Sequence, residues 1–410
     1  MKHPIYFAAI TLVAIMFGTQ QTIRAATVAE RLAGYFLIQV EKNGEGWYVY
    51  PKSLTRYYLG RPTDAFDVMK RLGVGISNAN LAKIPIAGSP AQGDIALRNR
   101  LSGYILLQVE KNGEGWYVYP KTKQRYALGR PSQAFTVMKQ LAVGITNANL
   151  AQIPADVGII QSTKGIVTTR GTFSVEMLRF DRANPALKIK TDTASTSDCH
   201  NNCPVLPLAS YVSRRAGTAG IHGTYFCPPD YASCSGQINY YYFPVYNSFS
   251  RVMINAGRIK YTSEPIVLFD TSNRPFFVKE TKSFTSYQDL LNEFAVMSRN
   301  AGGSGQLQAA ISNGPPLIIN GQNVVNQYQL DAKQATVKSY RGAIGWKGDT
   351  IYLMVVRSAT VTDSATVMKT LGLDYAINLD GGGSTAFYNA GRYVIGPGRS
   401  LPNAIIVTTS

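Results

Sequence analysis

The sequence predicts an α+β protein: a mixed, mainly antiparallel sheet domain with few helices, preceded by two small repeats. Two observations support this prediction. The N-terminal third contains a strong internal duplication, and from about residue 160 onward the chain shows hairpin patterns with few helical stretches. Hairpins join antiparallel strands, and strands combined with a few separate helices are typical of the α+β class.

The two repeats are related by a constant offset of 69 residues, from Gly34 to Gly103, and roughly three quarters of the aligned positions are identical. Each copy reads as a hairpin around an "NGEG" turn, a third short strand, and an amphipathic helix. We therefore expect two small units, each a three-stranded sheet with one helix and a core of its own. Residues 86–98 form the linker between them.

The repeats are rich in aromatic residues, and these allow two interpretations. Exposed rings could stack on sugars and make a wall-binding module, or the rings could form the core of a very small domain. We favour the core, with one aromatic side chain left outside in each repeat, and expect the repeats to target or space the larger domain. The residues concerned are Trp47, Tyr48, Tyr50, Trp116, Tyr117 and Tyr119.

The length of the chain and the changes in residue pattern along it divide the sequence into four segments. With 410 residues, 45% of them hydrophobic and 16% charged, the chain has room for two or three domains with real cores. We expect a signal peptide at residues 1–26, the first repeat at 27–86, the second at 99–155, and a C-terminal domain at 165–410.

The first 26 residues have the layout of a secretory signal peptide. Lys2 precedes an uncharged run over residues 5–17, and the small residues Ala25 and Ala26 follow. An uncleaved membrane anchor is the alternative, but the run is short for a bilayer span. We expect a secreted, periplasmic or cell-surface protein.

The four cysteines predict two disulfides. They lie within a window of 36 residues, and an even number of clustered cysteines in an exported chain usually forms disulfides. A zinc site with His200 or His222 is the alternative, but the spacings are not those of a zinc ribbon, and we expect no metal. Of the three possible pairings we favour the two local ones, Cys199 with Cys203 and Cys227 with Cys234.

The net charge of +17 indicates attraction to anionic partners. The basic residues are scattered and no nucleic-acid motif is present, so we expect no nucleic-acid partner. An anionic cell-envelope polymer, bound through the repeats, or a phosphate-bearing glycan is the better partner class. A basic surface that only keeps the protein soluble is the alternative.

Regular elements of the C-terminal domain can be assigned from turns and caps. Hairpins are expected around Thr271–Asn273 and at residues 347–349. Ser286 is expected to begin one helix. A second helix is expected to be capped by Thr362 or Asp363 and to end at Gly372.

Four stretches place glycine and polar residues where apolar strands end: "AGIHGTYF", "AAISNGPPLIINGQNV", "SYRGAIGWKGDTIYLMVV" and "AINLDGGGSTAFY". Glycine at such positions lets backbone N–H groups approach a ligand and point at it. The polar residues delivered there are His222, Thr224, Asn313, Arg341, Asp380 and Ser384.

The order and wording of these stretches resemble the phosphodiester glycosidase family over about residues 165–410. The resemblance implies catalytic roles for Asp380, as a carboxylate beside the anomeric carbon, and for Arg341, whose planar fork suits a phosphodiester. His222 takes the place of the family's usual asparagine and is the third catalytic candidate. The substrate-binding residues implied are Thr224, Asn313, Gly314, Gly381, Gly382, Gly383 and Ser384.

Each candidate also has a structural interpretation. Asp380 could cap a glycine turn, Arg341 could form a surface ion pair, and His222 could be a hydrogen-bonded structural histidine. The expected function is an exported hydrolase that cleaves a glycosyl phosphodiester without a cofactor. The alternative is a non-catalytic glycan- or wall-binding surface protein with a degenerate site.

Overall fold

The structure, a computed structural model, describes residues 25–41, 43–60, 62–156 and 158–409. The predicted signal peptide at residues 1–26 lies almost wholly outside this range. Across the described ranges, no helix is both long enough and apolar enough to cross a membrane.

The two repeats contain the same elements in the same order. The first comprises α1 (Val28–Arg31), β1 (Phe36–Gln39), β2 (Gly46–Tyr50), β3 (Thr55–Tyr58), α2 (Pro62–Leu72), β4 (Val74–Ile76) and α3 (Asn78–Ala82). The second comprises α4 (Ile95–Arg100), β5 (Ile105–Gln108), β6 (Glu114–Val118), β7 (Arg125–Ala127), α5 (Pro131–Leu141), β8 (Val143–Ile145) and α6 (Asn147–Ala151). Each repeat thus supplies the three predicted strands and the helix, and adds a short fourth strand and further short helices.

The fourth strands are exchanged between the repeats. β8 of the second repeat pairs in parallel with β1, and β4 of the first repeat pairs in parallel with β5. The resulting sheets have the orders β3-β2-β1-β8 and β4-β5-β6-β7. Each repeat therefore completes the sheet of the other.

The expectation of a separate core in each repeat is wrong. Phe36 and Tyr48 of the first repeat belong to one hydrophobic cluster with Ile105 and Tyr117 of the second. The hydroxyl of Tyr48 donates to the carbonyl of Gly103 at 2.7 Å, and the matching bond from Tyr117 ends on Gly34 at 2.6 Å. Units this small gain a larger dry core by sharing one.

The aromatic residues of the repeats are mainly core residues, as favoured from the sequence. Trp47, Tyr48 and Tyr117 are buried. The other three, Tyr50, Trp116 and Tyr119, are half-buried and pack against the same clusters.

The C-terminal domain begins with a strand that starts before the expected boundary at residue 165. Its first half comprises β9 (Ile160–Thr168), β10 (Gly171–Asp181), β11 (Leu187–Thr193), α7 (Leu208–Ser213), β12 (Gly217–His222), β13 (Val245–Asn247), β14 (Val252–Ile254), β15 (Ile266–Asp270), β16 (Pro275–Val278) and α8 (Tyr287–Asn300). Its second half comprises β17 (Leu307–Ser312), β18 (Pro316–Ile319), β19 (Gln322–Asn323), α9 (Ala332–Thr336), β20 (Ser339–Lys347), β21 (Thr350–Ala359), α10 (Val361–Leu371), β22 (Tyr375–Gly381), β23 (Phe387–Asn389), β24 (Arg392–Ile395) and β25 (Asn403–Thr409).

These strands form a seven-stranded sheet and two five-stranded sheets. Their orders are β19-β18-β22-β20-β21-β10-β9, β11-β25-β12-β23-β24 and β14-β13-β17-β15-β16. Neighbouring strands within all three sheets run antiparallel, and one large hydrophobic cluster draws residues from each sheet. The α+β class predicted from the sequence is confirmed.

Both C-terminal helices form where expected, with one cap displaced. Ser286 caps α8 and accepts the N–H of Asp289. For α10 the capping residue is Thr360 rather than Thr362 or Asp363, because the Asp363 carboxylate bonds back to the N–H of Thr360 as the second half of a capping box. The helix ends at Gly372 in the left-handed conformation.

The two predicted disulfides are present with the favoured local pairing. Cys199 bonds to Cys203 and Cys227 bonds to Cys234, with Cα–Cα distances of 5.6 and 5.3 Å. All four thiols are thereby used, so the alternative of a cysteine zinc site is excluded.

Candidate active site

Strand ends from the three large sheets meet around Asp380. Asp380 lies near the end of β22 in the seven-stranded sheet, and His222 ends β12 in a five-stranded sheet. Asn313 directly follows β17 of the third sheet. The backbone N–H of Asp380 donates to the carbonyl of Gly223 at 3.0 Å, and the Asn313 amide donates to the carbonyl of Asn378 at 2.8 Å, so the strand ends are tied together.

Asp380 is a buried carboxyl group with a raised pKa. Its exposed fraction is 8%, and its Oδ1 accepts the N–H of Gly381 at 2.7 Å. Burial raises the pKa of Asp380 to about 6, although the Ser384 hydroxyl, the Gly381 N–H and the guanidinium groups of Arg399 and Arg341 all oppose the rise. A carboxyl group with this pKa is suited to proton transfer near neutral pH.

The three glycines after Asp380 place the loop against a basic side chain. Gly382 has φ +57°, the left-handed region that glycine adopts without strain, and it begins the short 3₁₀ turn Gly382–Ser384. A Cβ atom on Gly383 would lie 2.9 Å from Nη2 of Arg399, and the N–H of Arg399 donates to the Gly383 carbonyl at 2.9 Å. The glycines thus let Arg399 lie directly against the loop.

Arg399 is a cation of the site that sequence reasoning missed. Its Nη1 donates to the Ser384 hydroxyl at 3.3 Å, and its Nη2 donates to the carboxylate of Asp230 at 2.6 Å. The guanidinium also lies over the ring of Tyr231, 5.6 Å from the centroid. Its proximity to Asp380 depends on tertiary packing, and the only sequence signal was the neighbouring "GPG" turn.

The Cys227–Cys234 disulfide closes the loop that carries Asp230 and Tyr231. Besides its contact with Arg399, the Tyr231 ring has the ammonium of Lys333 4.0 Å from its centroid. Tyr231 is 40% exposed, so an aromatic ring with two cations beside it borders the Asp380 loop. The disulfide therefore holds one rim of the site.

Arg341 lies beside Asp380, but backbone groups occupy most of its fork. Nε donates to the carbonyl of Ala359 at 3.1 Å, and Nη2 donates to the carbonyls of Lys333 and Val337, each at 2.7 Å. The side chain is 5% exposed. The surface ion pair considered from the sequence is not what the structure shows, and the bidentate fork expected for a phosphodiester is reduced to Nη1.

His222 is fully buried, and both ring nitrogens contact the backbone. Nε2 lies 2.7 Å from the carbonyl of Asp380, and Nδ1 lies 3.0 Å from the carbonyl and 3.3 Å from the N–H of Ala386. Burial lowers the pKa of His222. Because the N–H of Ala386 donates to Nδ1, we assign Nδ1 as an acceptor and Nε2–H as the donor to the Asp380 carbonyl. We interpret His222 as a positioning residue for the Asp380 strand end, which matches the structural alternative rather than direct catalysis.

Thr224 and Asn313, both expected to bind substrate, hold the framework of the site. The Thr224 hydroxyl accepts from the Asn403 amide at 2.9 Å, and its N–H donates to the Asn403 oxygen at 3.0 Å. The Asn313 oxygen accepts the N–H of Tyr225 at 3.0 Å. Both side chains are buried and have these partners inside the protein.

Tyr225 and Asn378 are further residues that sequence reasoning missed. The Tyr225 oxygen accepts from the Asn378 amide at 2.6 Å and from the Gln334 amide at 3.2 Å, which leaves its own proton for another acceptor. Burial first, and then Asp380, raise the pKa of Tyr225 to about 12. Asn378 lies two residues before Asp380 on β22, and the period of two in a strand would have placed both on one face.

Gly314 brings a second carboxyl group into the same neighbourhood. A Cβ atom on Gly314 would lie 1.6 Å from Oε2 of Glu264, so only glycine lets Glu264 take this position. Burial, and then the charge of Glu280, raise the pKa of Glu264, and its buried Oε2 has no hydrogen-bond partner in the described structure. The Gly314 carbonyl in turn accepts from the Asn378 amide at 3.3 Å, which connects Glu264 to Tyr225.

No set of three or more histidine, cysteine or acidic residues suited to a metal ion occurs among the described residues. The chemical groups that the structure brings together around Asp380 are its own buried carboxyl group, two guanidinium groups and a protonated tyrosine, while the half-buried side chain of Glu264 lies against Gly314.

Comparison with known proteins finds similar structures that cover about three fifths of this chain. No significant match is found among curated proteins. Similar solved structures include a hypothetical protein from Synechocystis, with 14% identity, a TM-score of 0.42 and 62% of each chain covered. Another is the catalytic domain of zebrafish N-acetylglucosamine-1-phosphodiester alpha-N-acetylglucosaminidase, auto-inhibited by its pro-peptide, with 15% identity and a TM-score of 0.45, covering 61% of this chain and 82% of that one.

The family comparison is confined to one continuous part of the chain. The matched segment includes Asn313, Arg341, Asp380 and Arg399 but neither the repeats nor His222. Within these limits the resemblance drawn from the motifs is confirmed, since residues 238–408 match the phosphodiester glycosidase family.

Proposed function

We propose that the protein is an exported hydrolase that cleaves a glycosyl phosphodiester, the linkage between an anomeric carbon and a phosphate, in envelope or extracellular glycans. The observation that supports this most is the environment of Asp380. A buried carboxyl group with a pKa of about 6 lies beside two guanidinium groups, within the segment that matches the phosphodiester glycosidase family.

In the proposed reaction a water oxygen bonds to the anomeric carbon while the bond from that carbon to the phosphate oxygen breaks. The products are a sugar with a free anomeric hydroxyl and a phosphomonoester. Asp380 is mostly ionised at neutral pH, so it accepts the proton of the attacking water or stabilises positive charge at the anomeric carbon. Its buried position makes this charge interaction stronger than it would be in water.

The cations suit the leaving phosphate. Arg399 is a quarter exposed, and Nη1 of Arg341 makes no hydrogen bond to any described residue, so each guanidinium can donate to phosphate oxygens. Tyr225 stays protonated because its pKa is about 12, and its hydroxyl can donate to a substrate oxygen. These donors favour departure of a phosphomonoester without metal assistance being required.

Glu264 is the candidate second carboxyl group that most glycosidases use. Burial and the charge of Glu280 raise its pKa, and a raised pKa favours the protonated form that can give a proton to a leaving group. We propose it as the proton donor, in addition to the arginines and not in place of them.

The alternative, a glycan-binding protein without catalysis, is favoured by one specific observation. Two of the three side chains expected to be catalytic, His222 and Arg341, make most of their bonds to the protein backbone. A site whose polar groups are largely used for structure would bind a ligand more readily than transform it. Asp380, Arg399 and Tyr225 are the groups that argue against this alternative.

The test is hydrolysis of a panel of sugar 1-(methyl phosphate) diesters in water enriched in ¹⁸O. The proposal predicts release of free sugar and methyl phosphate, with ¹⁸O found in the sugar, because the bond to the anomeric carbon breaks. Label in the phosphate would mean phosphodiesterase chemistry and would contradict the proposal. Binding of the diesters without any turnover would support the glycan-binding alternative.

A further inference from the structure

We propose that a second cleft in the C-terminal domain, remote from Asp380, binds an anionic glycan. The cleft has a volume of about 650 Å³ and lies between β11, the turn joining β13 to β14, the first turns of α8 and the start of β17. Sites for small ligands commonly have volumes of about 300–1,000 Å³. The cleft is therefore large enough for one or two sugar units of a longer chain.

The cleft is basic, and none of the described residues that line it is acidic. Lys190 and Arg251 both line it. Neither makes an ion pair with any described residue. The nearest acids of α8 lie off this face, and Asp289 is bonded to Thr285 at the helix start. Because Lys190 and Arg251 have no acidic partner among the described residues, we expect the ligand of the cleft to be an anion.

Repulsion between these cations supports the same conclusion. Burial, followed by the charges of Lys188 and Arg251, lowers the pKa of Lys190. Lys188 is already satisfied in part, since its ammonium donates to the carbonyl of Thr271 at 2.7 Å. A bound phosphate or carboxylate group would place a negative charge beside these cations and would offset the repulsion between them.

The backbone holds Arg251 at the cleft in an uncommon conformation. Arg251 has φ +60°, where residues other than glycine are infrequent, and its N–H donates to the carbonyl of Asn247 at 2.8 Å. The Asn247 side chain accepts the N–H groups of Phe249 and Ser250, so the turn is fixed from within. The turn therefore fixes the point at which the Arg251 side chain leaves the backbone beside the cleft.

The remaining wall is suited to sugars as well as to charge. Tyr287 is half-buried and Gln288 is exposed, so their ring and amide can contact a sugar, while Tyr246 and Gln308 line the cleft with most of their surface buried. The Gln308 amide nitrogen donates to the carbonyl of Ile189 and to the side-chain oxygen of Asn273, while its amide oxygen accepts no hydrogen bond from any described residue. Aromatic rings with amides and cations are the groups expected for a charged sugar rather than for a bare ion.

The cleft is distinct from the Asp380 site. Both involve β17, but the cleft contains Leu307 at its start, whereas Asn313 of the candidate active site follows its end. At about 3.3 Å per residue the strand separates the two by roughly 17–20 Å. The cleft would hold a polymer at a distance from Asp380, and the inference does not depend on catalysis there.

The test is binding of polygalacturonate, a carboxylate-bearing polysaccharide, to the full chain. The doubly substituted Lys190→Gln/Arg251→Gln variant should bind it at least about tenfold more weakly, a change equivalent to about 1.4 kcal/mol. The matched control is Lys347→Gln/Arg392→Gln, which removes the same charges from exposed positions elsewhere and should bind nearly as wild type does. Asp380→Asn should also bind normally, and neutral dextran should not bind.

Other outcomes would contradict the proposal. Equal weakening in the cleft variant and the control would indicate only a general basic surface. Binding of polyphosphate as strong as that of polygalacturonate, and equally lost in the cleft variant, would indicate an anion site without sugar recognition. Duplex DNA binding that is stronger and lost in the same variant would indicate a nucleic-acid site. If the double variant melts abnormally, Arg251→Gln alone, at an exposed position, decides the question.

Discussion

The two arginines beside Asp380 differ in what holds them. Arg341 is buried among three backbone carbonyls, whereas Arg399 is partly exposed and paired with the exposed carboxylate of Asp230. The motif "SYRGAIG" pointed to Arg341 because it lies on a strand that reaches the site. The "GPG" sequence before Arg399 indicates a turn but does not indicate Asp380, because tertiary packing brings the two side chains together.

We predict that substituting Arg341 mainly lowers stability, whereas substituting Arg399 mainly changes the pH dependence of catalysis. Arg341→Gln should lower the free energy of unfolding by about 3 kcal/mol, because buried carbonyls lose charged donors. Arg399→Gln should cost less than about 1 kcal/mol, since its ion pair is partly exposed. It should instead raise the pKa of Asp380 and move the acidic limb of the pH–rate profile upward. Urea unfolding and a pH–rate profile check both, and an unchanged profile for Arg399→Gln would show that Arg399 does not act on Asp380.

The raised pKa of Asp380 makes a prediction about stability. The folded state keeps the proton up to about pH 6, whereas the unfolded carboxyl loses it near its ordinary value of 3.8. The protein therefore loses stability from this group as pH rises from about 4 to 6, by as much as about 3 kcal/mol. Asp380→Asn removes the loss while keeping an acceptor for Gly381.

The measurement is the free energy of unfolding of wild type and Asp380→Asn at pH 4 and pH 7. The difference between variant and wild type should grow in favour of the variant toward pH 7. His222, whose lowered pKa acts in the opposite direction below about pH 6.5, is the same in both proteins and cancels. If Asp380→Asn is less stable at both pH values by the same amount, the carboxylate is a structural cap of the glycine turn.

At the scale of single elements, the Cys227–Cys234 loop makes the rim of the site depend on a disulfide. We predict that Cys227→Ser/Cys234→Ser lowers kcat/KM more than its effect on stability explains, because Asp230 and Tyr231 then lose their fixed position beside Arg399. Closing a loop this short stabilises the fold by about 2–3 kcal/mol at most. Kinetics on folded protein, with thermal unfolding as the check, make the comparison.

The other disulfide provides the control for that comparison. Cys199→Ser/Cys203→Ser removes another short-range bond, with a sequence separation of 4 against 7 for Cys227–Cys234. Its two cysteines make no hydrogen bond to Arg399 or Asp380 within the described residues. It should lower stability while leaving kcat/KM close to the wild-type value. Equal loss of activity in both double variants would show that the rim has no special role.

Elements with strong local signals were predicted from the sequence, and the strand exchange was not. The hairpins at residues 271–273 and 347–349 and the cap at Ser286 depend on nearby residues, so their patterns are readable. β4 and β8 are three-residue strands reading "VGI", too short for a period to stand out. Their partners lie in the other repeat, and both copies contain the same "VGI" strand, so the sequence gives no signal for which copy pairs with which.

At the scale of the whole molecule, exchange makes the repeats one folding unit. The first repeat alone, residues 27–86, contains β4 but no β5 to pair with it, and its β1 lacks the β8 partner. We predict that this fragment forms a twofold dimer in which each copy supplies β4 to the β1 of the other. The fragment 27–156 should be a monomer that unfolds in one cooperative transition. Sedimentation equilibrium checks both, and a folded monomer of residues 27–86 would contradict the exchange.

The candidate site of the C-terminal domain is formed where the ends of strands from different sheets meet, so its residues are not neighbours in the sequence. The motifs identified Asp380 and the glycine loop because these residues are consecutive. Glu264 and Tyr225 join the site only through contacts at Gly314 and Asn378, which bring separate sheets together. Glu264 and Tyr225 could therefore be identified as site residues only from the three-dimensional structure.

The most direct test of the account compares kcat/KM for wild type and Asp380→Asn on a sugar 1-(methyl phosphate) diester that wild type hydrolyses. Both proteins should give the same far-ultraviolet circular dichroism and cooperative unfolding, because the substitution keeps size and the bond from Gly381. We predict a fall of at least about a thousandfold in kcat/KM for the variant. A correctly folded Asp380→Asn protein that keeps activity within about tenfold of wild type would contradict the role of Asp380 as the catalytic carboxylate.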